Sequence, residues 1–476
     1  MIFPEWVSRH KEKGNELRYL KGRYYLYKVS SVWDSKKKRA RKVTGSFLGR
    51  ITPEGLVKPK HERLKDALKN VSVKEFGATK FLTEHCENIV SALKNEYPLE
   101  WKLIFCFSVF RLLHNSPIKN LTHHYSASFL SETFPQLSFY PKTISKLLNK
   151  LGQDRERIKF FLQHFIQGTK FAVIDSTHVF SLSEGIITAV IGHNSEKEYV
   201  PQSRLLLIHS LDKHAPAYYR LVAGSITDVS SITLTVKEAG IKDAVLIGDK
   251  GFHSEKNLEE LEKDNVHYIL PIKRNSSLID YSPFSQADKT KLDGHFFFEK
   301  RVIWHFTKKI EKRKIVTFTD NYLKNEEEKD FLARIEKQEQ TLAEFQEKQY
   351  QLGTITIITD CENTPEEIYE LLKQRIEIES VFDTLKNTLN ADRTYMRNDA
   401  QLEAWMLINF IALLMHYKIY NTLTRKKLLK KHSIKDILLH LSRVHKLKIQ
   451  QEWILSEIPK NSRKIIEKLE IQEHIT

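Results

Sequence analysis

Two aspartates stand where a chain of this texture can place metal-binding carboxylates. Asp175 follows the apolar run FAVI, and Asp249 follows AVLIG and precedes Lys250-Gly251-Phe252. A carboxylate reached after four or five apolar residues is expected at a strand end, and in α/β sheets the crevice at strand ends is where ligands bind. Either aspartate alone is equally well read as a turn cap that accepts hydrogen bonds from nearby backbone N–H groups. A third acid lies far along the chain. Leu372, Arg375, Glu379, Phe382 and Lys386 are spaced by 3, 4, 3 and 4, which on a helix lines them along one largely core-facing stripe. The structural alternative there is an ion pair of Arg375 with Glu379, worth only about 0.3–0.5 kcal/mol at a surface.

Were Asp175, Asp249 and Glu379 to converge at about 5 Å, each pair would repel by roughly 3 kcal/mol at an effective dielectric near ~20. A cation is then required. Oxygen ligands with no cysteine partner and no H-E-x-x-H pattern select hard ions, Mg²⁺ with Mn²⁺ as its substitute, over zinc. Two such ions about 4 Å apart activate a water or a 3′-hydroxyl on one side of a phosphodiester and stabilise the leaving oxygen on the other. Phosphoryl transfer on nucleic acid is the chemistry this set would perform. His178, just past Asp175, reads as a hydrogen-bonded neighbour rather than a catalyst.

Composition agrees with a polyanionic partner. The 476 residues carry 76 Lys and Arg against 60 Asp and Glu, a net charge of +16, which makes a small uncharged substrate on its own a poor fit. With 41 % apolar and 11 % aromatic residues the chain can bury one large core or several, so it is no disordered tail. Cys86, Cys106 and Cys361 show no C-x-x-C spacing, which excludes a disulfide scaffold or thiolate zinc site and points to a reducing compartment. The start, MIFPEWVSRHKEKG, lacks a secretion-signal pattern, so a cytoplasmic, nucleoid-associated protein is expected. LIFCFSVFRLL and AWMLINFIALLM fall short of the roughly 20 residues of a bilayer span and contain Arg111 and Asn409, so they read as core helices and no membrane partner is expected.

Six segments must position these residues. Residues 1–57 read as a basic β-rich module: RYYLYKVSSVW alternates, and KKKRARK is a basic bend that is either a solvated hairpin tip or a phosphate contact. Residues 58–165 show helical spacing and are expected to bind DNA. Within them FYPKTISKLLNKLG sets Ile144, Leu147, Leu148 and Leu151 on one face and Lys142, Lys146 and Lys150 on another, the pattern of a helix-turn-helix reader or of an ordinary bundle helix. Residues 166–280 contain six apolar runs, FAVIDSTHVF, GIITAVIGHN, RLLLIHSL, AYYRLVAGSI, DAVLIGD and HYILPIK, the last two separated by a helix. A mixed α/β sheet is expected, antiparallel first and parallel last. Residues 281–363 read as an insertion of strands and one long charged helix. Residues 364–420 open with a capping box of Thr364 and Glu367 around Pro365 and continue as a long helix. Residues 421–476 read as a basic helical region, with the chain helical to its end after Arg397.

Asp175 in VIDSTH, Asp249 in IGDKGF and Glu379 in QRIEIESVFDTLKNTL together resemble the Asp-Asp-Glu triad of bacterial and archaeal insertion-sequence transposases, of the insertion-sequence-four type with a ribonuclease-H-like catalytic core. That group carries the signature Tyr, two residues, Arg, three residues, Glu, six residues, Lys. Arg375, Glu379 and Lys386 match it, Leu372 stands where Tyr is expected, and Tyr369 lies one helical turn earlier, about 5 Å along the axis. PAYYRLVAGSITDVSSI, SVWDSKKKRARKVTGSFLGRITPEGL and DRTYMRNDAQLEAWMLINFIALLM extend the likeness over most of the chain. The resemblance implies a ribonuclease-H-like mixed sheet with a β-rich insertion between Asp249 and Glu379. It also implies a homodimer that binds terminal inverted repeats in double-stranded DNA, nicks them with two Mg²⁺ ions and joins the 3′-hydroxyls to target DNA. Related members excise through a hairpin on the element end. By the same likeness Asp175, Asp249 and Glu379 are the catalytic metal ligands, and Arg375, Lys386, Lys250 and Tyr369 contact DNA. Two alternatives stay open: an inactive repressor of terminal repeats, and a nuclease that hydrolyses without joining.

Overall fold

The computed structural model describes residues 3–69, 71–192, 199–226, 228–285, 289–449 and 451–471. The chain divides into two compact units, Met1–Phe76 with Arg443–Pro459, and Gly77–Ser442 with Lys460–Thr476.

The first unit begins with an antiparallel meander of β1 (Asn15–Leu20), β2 (Arg23–Asp34), β3 (Arg39–Thr52) and β4 (Gly55–Val57). Lys21 and Gly22, at φ 48° and 77°, make the two-residue turn whose left-handed geometry matches the twist of paired strands. Val7, Leu26 and Ile51 are buried at its centre, with Trp6, Leu17 and Tyr24 against them. The unit also holds β5 (Ser72–Glu75).

In the second unit the strands are β6 (Phe171–Ser181), β7 (Gln202–Ser210), β8 (Ala215–Ala223), β9 (Val245–Ile247), β10 (His267–Pro271), β11 (Gly294–Phe298), β12 (Arg301–Ile310), β13 (Arg313–Asp320), β14 (Thr354–Thr359) and β15 (Arg393–Thr394). They form one ten-stranded sheet in the order β11-β12-β13-β14-β10-β9-β6-β7-β8, with β15 beside β6. Pairing is antiparallel among β6, β7 and β8 and parallel between β6 and β9 and between β9 and β10. The class is mixed α/β, and the apolar runs explain why: β7 reads as an unbroken hydrophobic stretch because both of its faces are covered.

Four features differ from the sequence reading. GIITAVIGHN is not a strand; Val190 makes an isolated bridge to Gln202, while the backbone N–H groups of Ile187 and Thr188 donate to the Asp399 carboxylate instead of to a strand neighbour. Its last two residues, 193 and 194, lie outside the described residues. The strands of residues 281–363 are continuous with the core sheet, because β14 pairs with β10 on one side and β13 on the other. The charged segment of that region is two helices, Asn321–Glu336 and Leu342–Lys348, the second started by a capping box of Thr341 with Glu344. The C-terminal region is not all helical: β16 (His445–Ile449) and β17 (Glu452–Leu455) return to the first unit and form a three-stranded sheet with β5.

The helices of residues 77–166 share the second unit with the sheet. The helix Asp399–Arg425, 27 residues long and apolar enough to cross a membrane, is a core element here, its most apolar stretch 83 % buried within the fold. Its Asn409 accepts from buried Arg111 of the helix Trp101–His114, so the two polar residues that interrupt the apolar runs satisfy one another. The guanidinium of Arg111 also lies 4.5 Å from the centre of the Trp405 ring. The helix Pro141–Gly152 buries Ile144, Leu147, Leu148 and Leu151 and approaches Asp399–Arg425 so closely that a Cβ at Gly152 would stand 1.6 Å from the Ala400 carbonyl oxygen. This is bundle packing of its apolar face, with Lys142, Lys146 and Lys150 exposed.

Candidate active site

Asp175 lies within a strand rather than at its end, as the fifth of the eleven residues of β6. The strand is locally open there: Ala172, Val173 and Ile174 are fully buried, Asp175 and Ser176 are partly open to solvent, and burial resumes at Thr177 and at Val179–Ser181. β6 stays paired with β7 as far as Phe180 opposite Gln202.

Asp249 reaches the same place from the adjacent strand. Val173 pairs in parallel with Ile247, and each aspartate follows its partner by two positions. Beyond Ile247 the chain stays close to the sheet, since Gly248 N–H donates to Ile269 O at 3.4 Å and Asp249 keeps an extended backbone of φ −87°, ψ 165°. Neighbouring strands run about 4.8 Å apart, so the two carboxylates issue side by side from the sheet. A Cβ at Gly248 would lie 2.8 Å from the Phe252 ring and 2.9 Å from the Leu270 side chain, so any larger residue there would displace them. Asp249 then leads into the short 3₁₀ turn Lys250–Phe252, in which Lys250 is exposed and Phe252 buried.

The glutamate segment is not one long helix. The helix Pro365–Gln374, started by the capping box of Thr364 and Glu367, gives way to a turn at Arg375 and Ile376; a second helix covers Glu377–Asp383, and residues Thr384–Thr388 form a π-helix that contains Lys386. A π turn inside a helix is common at functional sites. Two side chains beside the break reach the sheet and the turn that follows β7. Arg375 Nη1 lies 3.5 Å from Asp175 Oδ2, with the two side chains 25 % and 23 % exposed. Glu377 Oε2 lies 3.1 Å from Nε2 of buried His209 and 3.3 Å from Nδ1 of His214. Burial pushes the Glu377 carboxyl up, but the hydrogen bonds to His209 and His214 outweigh it and hold the group below the usual carboxylate range. His209 stands opposite Val173 on β7, so the Glu377 helix covers the sheet face that carries Val173 and, two residues on, Asp175.

Glu379 is exposed, contrary to the core-facing stripe expected of an unbroken helix; Ile378 and Val381 are the residues its helix buries. It lines a cleft of about 1280 Å³ with His214, Ser380, Asp383, His416 and Tyr417, and neither aspartate is among the described residues of that lining. Among the described residues no three of His, Cys, Asp and Glu are grouped as a metal's ligands would be. The structure thus brings Arg375 to Asp175, sets Asp249 beside Asp175 by strand register, and places Glu379 on an adjoining helix.

Two further residues differ from expectation. Tyr369 is 1 % exposed, enclosed by Phe296, Phe298 and Phe318 at ring distances of 5.0–5.5 Å, and burial pushes its hydroxyl up to about 12. A ring so enclosed has no face to offer DNA, so Tyr369 does not take the place of the missing signature tyrosine. His178 is an odd number of positions from Asp175 on one strand and faces the other side of the sheet. Glu377, His209 and His214 escape sequence reasoning, since a histidine within LLLIHSL carries no spacing signal that separates it from packing.

The family model described as Transposase DDE domain matches residues 166–415, a little over half of the chain. No curated protein sequence matches it. Among solved structures the chain is similar to the piggyBac transposase in its synaptic complex with hairpin DNA, at 10 % identity and a TM-score of 0.41, over 72 % of this chain and 70 % of that one. It is also similar to Mos1 transposase in the paired-end complex with the left transposon end, at 10 % identity and a TM-score of 0.16, over 38 % of this chain and 56 % of that one.

Proposed function

This chain belongs to the transposase DDE domain family, and from that premise we propose that it cuts DNA at the ends of its own element and joins the freed 3′-hydroxyls to target DNA. The observation that carries the reading is the matched position of Asp175 and Asp249, each two residues beyond the paired Val173 and Ile247 of the adjacent parallel strands β6 and β9, with both acids partly open to solvent. We take the core to be ribonuclease-H-like, the group to be the insertion-sequence-four type, and the acting form to be a homodimer on double-stranded DNA.

The donor set fits hard divalent cations: two carboxylates side by side, with a guanidinium at Asp175 as evidence that the acid tolerates a positive neighbour. When bound, Mg²⁺ or Mn²⁺ supplies activation of the attacking hydroxyl and neutralisation of charge at the leaving oxygen. Asp175 and Asp249 would hold such ions from the sheet and Glu379 from its helix. Arg375 offers a planar fork to a phosphate beside the scissile bond, and Lys386 and Lys250 offer point charges along the same strand of DNA.

The test is nicking of a duplex that carries the element's terminal repeat, with and without Mg²⁺, by the wild type and by Asp175→Asn, Asp249→Asn and Glu379→Gln. Nicking by the wild type alone, with binding retained by all four proteins, is expected. Tight binding without nicking would favour the repressor reading, and cleavage without joining of pre-cut ends would favour the nuclease.

A further inference from the structure

β1 covers β2 only as far as Lys28, and β4 covers only the last residues of β3, from Arg50 to Thr52. Beyond them Val29–Asp34 and Arg39–Thr44 pair with each other, from Val29 opposite Thr44 to Asp34 opposite Arg39, with one further backbone bond at the base, from Val29 N–H to Gly14 O. A two-stranded ribbon about 20 Å long therefore extends from the sheet of the first unit. Its residues carry six cations, Lys36, Lys37, Lys38, Arg39, Arg41 and Lys42, against one acid, Asp34. The acid is already engaged, for Asp34 Oδ1 accepts from the N–H groups of Lys36 and Lys37 at 3.1 Å and shapes the turn. Lys42 bonds Glu16; among the described ion pairs none involves Lys36, Lys37, Lys38, Arg39 or Arg41. Alternation puts Val32 and Arg41 on one face and Trp33 and Lys42 on the other, with Val32 55 % and Trp33 66 % exposed.

An isolated two-stranded ribbon is marginally stable in water. One that in addition leaves five cations outside the described ion pairs and a tryptophan uncovered is matched to a polyanion that carries flat apolar surface as well as phosphates. We infer that this ribbon is an arm that enters a groove of duplex DNA, the cations of its tip on the phosphates and Trp33 against sugar or base edges. The ribbon is of the size that B-DNA's major groove, about 12 Å wide, admits, whereas the deep and narrow major groove of A-form RNA does not. The choice of DNA rests on the transposase reading above; the ribbon's geometry and charge do not.

The experiment measures binding of the full chain to a duplex of arbitrary sequence over a range of salt, for the wild type and for the combined variant Lys36→Gln, Lys37→Gln, Arg39→Gln, Arg41→Gln. All four are exposed, and Lys38, at φ 44°, is left in place. The plot of log affinity against log salt is expected to become shallower by about 0.9 for each phosphate that the variant no longer neutralises, hence by roughly 2–4, with at least about a tenfold fall in affinity at low salt. An unchanged slope with an unchanged melting temperature would overturn the inference. In the wild type, bound duplex should protect Lys36, Lys37 and Lys38 from acetylation read by mass spectrometry; full modification in the complex would overturn it without recourse to a variant. Stronger protection by RNA of equal length would overturn the choice of DNA. Metal-dependent nicking is scored separately: a ribbon variant that binds and nicks like the wild type removes the arm alone, whereas a wild type that binds through the arm but never nicks removes the catalytic reading alone.

Discussion

Arg375 Nη1 stands 3.5 Å from Asp175 Oδ2 although 200 positions separate them, Arg375 being the residue that closes the helix Pro365–Gln374. A guanidinium is thereby held beside a carboxylate of the sheet, with both side chains partly open to solvent.

Arg375→Ala should therefore lower the rate of strand cleavage by about 10²–10³-fold, the usual cost of removing one positioned donor of charge, while DNA binding falls only a few-fold. Arg375→Lys should recover part of the rate, since it restores charge but not the fork. Single-turnover cleavage separates these outcomes, and equal rates for all three proteins would remove Arg375 from the site.

Glu377 ties its helix to β7 through His209 and to the following turn through His214. Glu377→Gln should cost about 1 kcal/mol of stability, allowing for the partial exposure of the pair. Because the folded carboxyl titrates below its ordinary value of 4.5, its contribution is present above that pH and is lost as pH falls through the lower folded value. Melting curves of the two proteins should differ at neutral pH and converge in acid. A difference that grows as pH falls would contradict the assignment.

Gly152→Ala tests the closeness of the two helices that meet at Ala400. The added methyl would lie 1.6 Å from the Ala400 carbonyl oxygen, and relieving that overlap requires backbone movement, at a cost of about 3 kcal/mol or more. A lower denaturation midpoint is expected, and an unchanged one would mean that the helices sit farther apart.

Much of this arrangement is legible in the residues. The runs FAVI, RLLLIHSL, AVLIG and HYILP become β6, β7, β9 and β10 because buried strands have little choice of composition, and Thr364, Pro365 and Glu367 start their helix as capping chemistry requires. The misses share a cause in tertiary interactions that local pattern does not contain. GIITAVIGHN alternates like a strand, yet Asp399, more than 200 positions away, takes its backbone donors. The turn at Arg375 and Ile376 has no proline or glycine to announce it, and the contacts that Arg375 and Glu377 make beside it are with residues more than 160 positions away. HKLKI and EWIL are short, basic or aromatic segments near a helical end, and they are strands through pairing with each other and, for HKLKI, with the distant β5. For the site, the types and spacing of Asp175, Asp249 and Arg375 are readable, whereas the burial of Tyr369 beneath three phenylalanines is not.

Joint action of Asp175 and Asp249 on a DNA strand with a divalent ion is probed without intermediaries by cleavage of a duplex bearing the element's end, titrated with Mg²⁺, by wild type and Asp249→Asn at matched DNA occupancy. Cleavage that rises with Mg²⁺ in the wild type and is lost in Asp249→Asn, with binding unchanged, is the expected result. Cleavage by Asp249→Asn at the wild-type rate and with the same Mg²⁺ dependence would contradict it.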